Sequence, residues 1–129
     1  MSKPYIVNLD IRNSKQSDQA WTNVRASNNK WYAYQYTGGS DGHGNITEKG
    51  RGTVDITVNL ICDNRYEITS VMFKDDPENQ LSCPTRTTRS AIIVDLNDAV
   101  QSDAYYSITI QDTTAKCTLV CDPYISNVP

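Results

Sequence analysis

Histidine and phenylalanine occur once each in 129 residues, no CxxC pair is present, and no long apolar run interrupts the chain. Each scarcity excludes a class of function. A nucleophile relay needs a base beside a serine or cysteine, and His43 is the single imidazole available. His43 sits among glycines and reads as a solvent-exposed loop residue. The four cysteines, Cys62, Cys83, Cys117 and Cys121, lack the paired spacing of a zinc site. No segment approaches the ~20 apolar residues of a membrane helix. Polar residues break up the first ten positions, where a secretory signal has a continuous apolar core of about 7–15 residues. A cytoplasmic chain is expected, unless it is a trimmed form. Net charge is −3 with a pI near 5.0, and both signs are scattered along the sequence. Without a basic stripe, neither nucleic acid nor membrane is an expected partner. Neither a metal nor a cofactor is expected.

Short alternating segments are what the chain does have. Val54, Ile56, Val58, Leu60 and Cys62 form one apolar row, the period of a half-buried strand. Tyr106, Ile108 and Ile110 form another, and Tyr5, Val7, Leu9 and Ile11 a third. A short strand is expected within Trp21–Ala26, and another in Ala91–Leu96. Asp63-Asn64-Arg65 reads as a tight turn leading into 66–73, taken as the antiparallel partner of 54–62. The apolar phase slips between Ile68 and Val71, which predicts a bulge near Ser70. Segments 105–111 and 116–121 read as a hairpin about 112–115, and 74–88 as loop. Cys117 and Cys121 then share one strand face about 13 Å apart, beyond the ~7 Å reach of a mutual disulfide. Reduced core thiols are expected, with a bridge between strands as the alternative. The whole predicts one all-β domain over 1–129, an immunoglobulin-like β-sandwich of about seven to eight antiparallel strands. The 54–62 row should face the 106–110 and 92–96 rows across its core. An acidic residue, Asp103, three before Tyr106 resembles the tyrosine corner of such sandwiches.

Three segments are candidates for chemistry. All six glycines fall between 38 and 52, making a long loop with a possible short hairpin through 45–49. It lacks the Gly-Lys-Ser/Thr of a phosphate loop and the acidic spacing of an EF-hand. Asp75, Asp76 and Glu78 flank Pro77 and read as a solvated turn rather than a cation site. Asn45-Ile46-Thr47 matches a glycosylation acceptor but, without a secretory signal, is ordinary loop. Trp31, Tyr32, Tyr34 and Tyr36 belong either to a central strand or to an exposed aromatic row able to hold sugars, bases or a protein.

Residues 50–129 resemble the DP-EP family, small bacterial domains of unassigned function. The resemblance lies in the strand Val54–Cys62, the ending Phe73-Lys74-Asp75-Asp76, the strand Ile92–Leu96, Tyr105–Gln111 and the close Cys121-Asp122-Pro123-Tyr124-Ile125-Ser126-Asn127-Val128-Pro129. It implies an immunoglobulin-like sandwich and no catalytic or binding residue.

The leading functional expectation is a non-enzymatic interaction or structural module, its partner another protein or a second copy paired through sheet edges. The alternative is a small-ligand or carbohydrate-binding domain using Trp31, Tyr32, Tyr34, Tyr36, His43 and the 37–52 loop. An enzyme based on His43 or on Asp75, Asp76 and Glu78 is the third.

Overall fold

A computed structural model describes residues 3–39, 42, 44–49, 52–76, 80–96, 102–121 and 124–128, with the backbone alone for 3, 47–49, 102–104 and 124–128. His43, Asp41 and Glu78 lie outside the described residues. The alternating row at 54–60 becomes β5 (Val54–Leu60), in which Val54, Ile56, Val58 and Leu60 are all buried. Burying each such side chain contributes roughly 1.5–3 kcal/mol, so the row fixes which face of the strand is inward.

β5 lies in a six-stranded mixed sheet. Its strands, in spatial order, are β2 (Thr22–Arg25), β3 (Trp31–Gly38), β1 (Lys3–Arg12), β5, β8 (Ser90–Asp95) and β7 (Leu81–Arg86). β1 and β5 run parallel, with Val7 beside Val58, so the expectation of purely antiparallel pairing is corrected. The second sheet is built on the longest strand, β9 (Ser102–Asp112). β6 (Tyr66–Lys74) pairs along one edge of it, and β10 (Cys117–Cys121) and β11 (Tyr124–Val128) follow one another along the opposite edge. β4 (Ile46–Lys49) lies parallel to β11 rather than forming a hairpin within the glycine-rich segment.

The inward faces of the two sheets meet in one apolar core. Val7, Leu9, Ile11, Tyr34 and Ile56 from the first sheet join Ile68, Tyr106, Ile108, Ile110 and Leu119 from the second. The Tyr36 and Tyr106 rings meet edge to face, with centroids 6.2 Å apart. The bulge expected near Ser70 is present as a register shift between Ile68 and Ser70.

Four expectations are corrected. The turn at 63–65 does not return the chain beside β5; it carries β6 into the other sheet, where it pairs with β9. β8 lies next to β5 rather than across the core, and its inward residues are Ala91, Ile93 and Asp95, one step out of phase with the expected row. The stretch 81–86 is strand, not loop; it tolerates Pro84 because it is an edge strand, with a register shift spanning Ser82 to Thr85. Tyr106 makes no tyrosine corner: its hydroxyl donates to the carbonyl of Gly44, 62 positions upstream, at 2.9 Å. That bond needs Gly44, whose φ is +84° and whose added Cβ would collide with the Tyr36 side chain.

All four cysteines are free thiols. Cys117 and Cys121 share the buried face of β10, as expected. Burial pushes the Cys62 thiol up to about 11, a position unsuited to a reactive thiolate.

Candidate functional site

The turn of β9 into β10 is held by a buried carboxylate. Asp112 is fully buried, and its Oδ1 accepts the backbone N–H groups of Thr114 and Ala115, closing the turn. Arg65, from the β5–β6 turn, grips it with two bonds: Nε to Oδ1 at 2.9 Å and Nη2 to Oδ2 at 2.6 Å. Tyr32 of β3 donates its hydroxyl to Oδ2 at 2.6 Å and lies 3.2 Å from the Cys117 sulfur. Burial raises the Asp112 carboxyl, but the Arg65 and Tyr32 bonds outweigh it and hold the group at about 2. The same burial and the adjacent carboxylate push the Tyr32 phenol upward. The cluster thus ties both sheets together through Tyr32 of one and Asp112 of the other.

Beside it opens a polar cleft of about 300 Å³, lined by Asp10, Ile11, Arg12, Asn13, Asp63, Arg65 and Tyr66. The end of β1 forms one wall and the β5–β6 turn the other. Arg89 braces that turn by donating to the carbonyls of Asp63, Tyr66, Leu60 and Cys62. The cleft continues outward through Arg12, whose guanidinium lies 5.1 Å from the Trp21 ring centroid and 3.8 Å from an Asp10 oxygen.

Arg12 leads to a corner of the outer face of the first sheet. Trp31 opens β3 there, on the face opposite Tyr32. Lys15 Nζ lies 4.6 Å from its ring centroid, and the Arg25 guanidinium lies 4.8 Å from it. Local bonds set this arrangement. Asp18 turns the chain into Trp21 through its carbonyl and carboxylate. Gln16 and Asn23 exchange bonds of 2.8 and 2.9 Å, which lays the 13–21 segment against the strand. Asn29 takes a positive φ of 66° in the β2–β3 turn and accepts from Arg25 at 2.8 Å, aiming that guanidinium over Trp31, its cross-strand neighbour. Residues 12–30 hold four basic side chains and one acidic one in a chain whose net charge is −3. The charge imbalance is local in the sequence, but that Lys15 and Arg25 share the Trp31 ring shows only in the fold, where Arg25 lies across from Trp31 on β2.

Of the expected site residues that are described, Trp31 alone is exposed, at 38%. Tyr32, Tyr34 and Tyr36 point into the core and do not form an exposed row. The reason is position: β3 lies between β2 and β1, and its inward face must be filled. Tyr36 spends its hydroxyl on the carbonyl of Cys121 at 2.9 Å. His43 falls outside the described residues. The glycine-rich segment is fastened to the core at Gly39, which donates to the Ile6 carbonyl, and at Gly44. Asp76 uses both carboxylate oxygens on the backbone N–H groups of Gln80 and Leu81, as a turn residue does. No group of three metal-ligating side chains occurs among the described residues. No helix among the described residues is long and apolar enough to cross a membrane.

No protein-family model matches the chain, and no curated protein matches it.

Proposed function

We propose that this protein is a non-enzymatic interaction module that docks an acidic, extended segment of a partner protein at the Arg12–Lys15–Trp21–Arg25–Trp31 corner. The observation that carries the reading is three cations set against two tryptophan rings on one outer face. Among the described residues neither Lys15 nor Arg25 is paired with a carboxylate, so their charge is available to a ligand. Tryptophan and arginine are also the side chains that most often anchor protein interfaces. The scaffold is read as immunoglobulin-like, in keeping with the DP-EP resemblance and the two packed sheets; the parallel pairs β1–β5 and β4–β11 are what that assignment must absorb.

Nucleic acid fits less well, because a phosphate backbone is tracked along a basic stripe, whereas this chain has a net charge of −3 and sets three cations at one corner. The alternative of carbohydrate binding keeps Trp31, but a sugar stacks on a bare ring and here two cations lie over it.

The chain has two tryptophans, and both are in this corner, so intrinsic fluorescence reports on it directly. Titration with a glutamate-rich peptide free of aromatics should change the emission, with an apparent affinity that falls as salt is raised. Lys15→Glu with Arg25→Glu should abolish the response. An unchanged spectrum with the acidic peptide overturns the proposal, as does a response confined to neutral oligosaccharides or single-stranded RNA.

A further inference from the structure

The free edges of the two sheets are not equally protected. β2 and β4 are short, and β7 carries Pro84 and a register shift. β10 is capped at Thr118, whose carbonyl accepts the Ser27 N–H and whose N–H donates to the Ser27 hydroxyl. β6 is the longest of these edges, and it is capped only from Tyr66 to Ile68. The Tyr66 carbonyl accepts Arg89, the Ile68 carbonyl accepts Arg86, and the Ile68 N–H donates to the Thr88 carbonyl. The protection stops at the bulge.

Those bonds also reveal the direction of the remaining groups. Tyr66 and Ile68 oppose Asp112 and Ile110 and turn their backbone groups away from β9. Beyond the bulge, Val71 and Phe73 oppose Ile108 and Tyr106, the same alternate series on β9. Their N–H and C=O groups therefore also point outward, and no strand among the described residues meets them. Between them Met72, opposite Ser107, is 60% exposed on the outer face.

We infer that Ser70–Lys74 is a strand-addition site whose occupant is the same segment of a second copy, paired antiparallel about a two-fold axis through Met72. The register is self-complementary. Val71 of each copy meets Phe73 of the other, and the two exchange main-chain bonds. The Met72 side chains meet across the axis, where Cβ atoms approach most closely. Lys74 falls opposite Ser70 and Asp75 opposite Thr69, so no like charges face each other. The strand ends at Asp75, whose φ of 60° turns the chain away, and the bulge closes the other end. So short a window yields a weak dimer, with a dissociation constant on the order of 0.1 mM.

Sedimentation equilibrium of the full chain up to about 1 mM tests this, with amide exchange followed at low and high concentration. The expected result is a concentration-dependent dimer with slowed exchange at Val71 and Phe73. Met72→Lys, at an exposed position, should weaken it at least about tenfold by opposing two charges on the axis. Val71→Pro should do the same by removing an N–H that β9 does not use; should that variant fail to fold, Met72→Lys decides. A chain monomeric throughout overturns the inference. So does a dimer that both folded variants leave intact, or slowed exchange at another edge.

Discussion

Trp31 and Tyr32 are consecutive residues of one strand, and each is the centre of a cluster of aromatic and basic side chains. Tyr32 points inward to Asp112, where Arg65 completes a bidentate pair and lies 5.4 Å from the Tyr66 ring centroid. Trp31 points outward to Lys15 and Arg25, with no carboxylate paired to either among the described residues. The ingredients match, and the difference is one buried anion. Where the anion is internal, the arginine is consumed and the cluster becomes part of the frame. Where it is missing, the positive charge remains for something outside the molecule. Alternation along β3 is the whole cause, since one step along a strand exchanges core for solvent.

The comparison breaks most visibly at Asp112. Asp112→Ala leaves the half-buried Arg65 and the Tyr32 hydroxyl without their acceptor and frees the 112–115 turn. A loss of about 3–5 kcal/mol is expected in urea denaturation. A loss below ~1 kcal/mol would show that the inner cluster is no more structural than the outer one.

Acid provides a smaller perturbation of the same group. The Asp112 carboxyl sits at about 2 in the fold, below its ordinary 3.8. A lowered folded value means the unfolded chain binds the proton first as pH falls. The stabilisation is therefore complete above about pH 4 and is lost as pH drops through about 2; it amounts to about 2 kcal/mol. Asp112→Asn should remove this contribution from the acid limb of the stability profile. Parallel acid limbs for the two proteins would show that Asp112 is not specially held.

Much of the frame can be read from residues alone, and the reason is burial. Val54–Leu60 and Tyr106–Ile110 alternate because one face of each is dry, and the slip between Ile68 and Val71 marks a real bulge. Pairing is less visible, because the turn at 63–65 is short enough for a hairpin yet carries β6 to the other sheet. Arg89, in the turn between β7 and β8, fastens four carbonyls of that region, a long-range contact with no local signature. The phase of β8 is hidden because Ile92, Ile93 and Val94 are all apolar, so periodicity cannot choose the inward one. The site fares worse still. β3 presents five bulky or apolar residues in its first six, and composition cannot say that Trp31 alone faces water. The cations around it come from β1, β2 and the segment between them.

The smallest expected effect on stability is the one that bears most on function. Trp31→Ala removes a ring that is already 38% exposed, and it frees Lys15 and Arg25 to full hydration. Each cation contact of this kind is worth about 0.5–1 kcal/mol at an exposed site, and recovered solvation offsets part of it. The variant should therefore unfold within about 1 kcal/mol of the parent in the same denaturation assay. Its Trp21 emission, now the sole indole signal, should no longer respond fully to the acidic peptide. Loss of stability on the scale expected for Asp112→Ala would mean that the outer corner, too, is frame. Unchanged stability with a lost response separates the neighbours: Tyr32 holds the sheets together, and Trp31 is left free to hold something else.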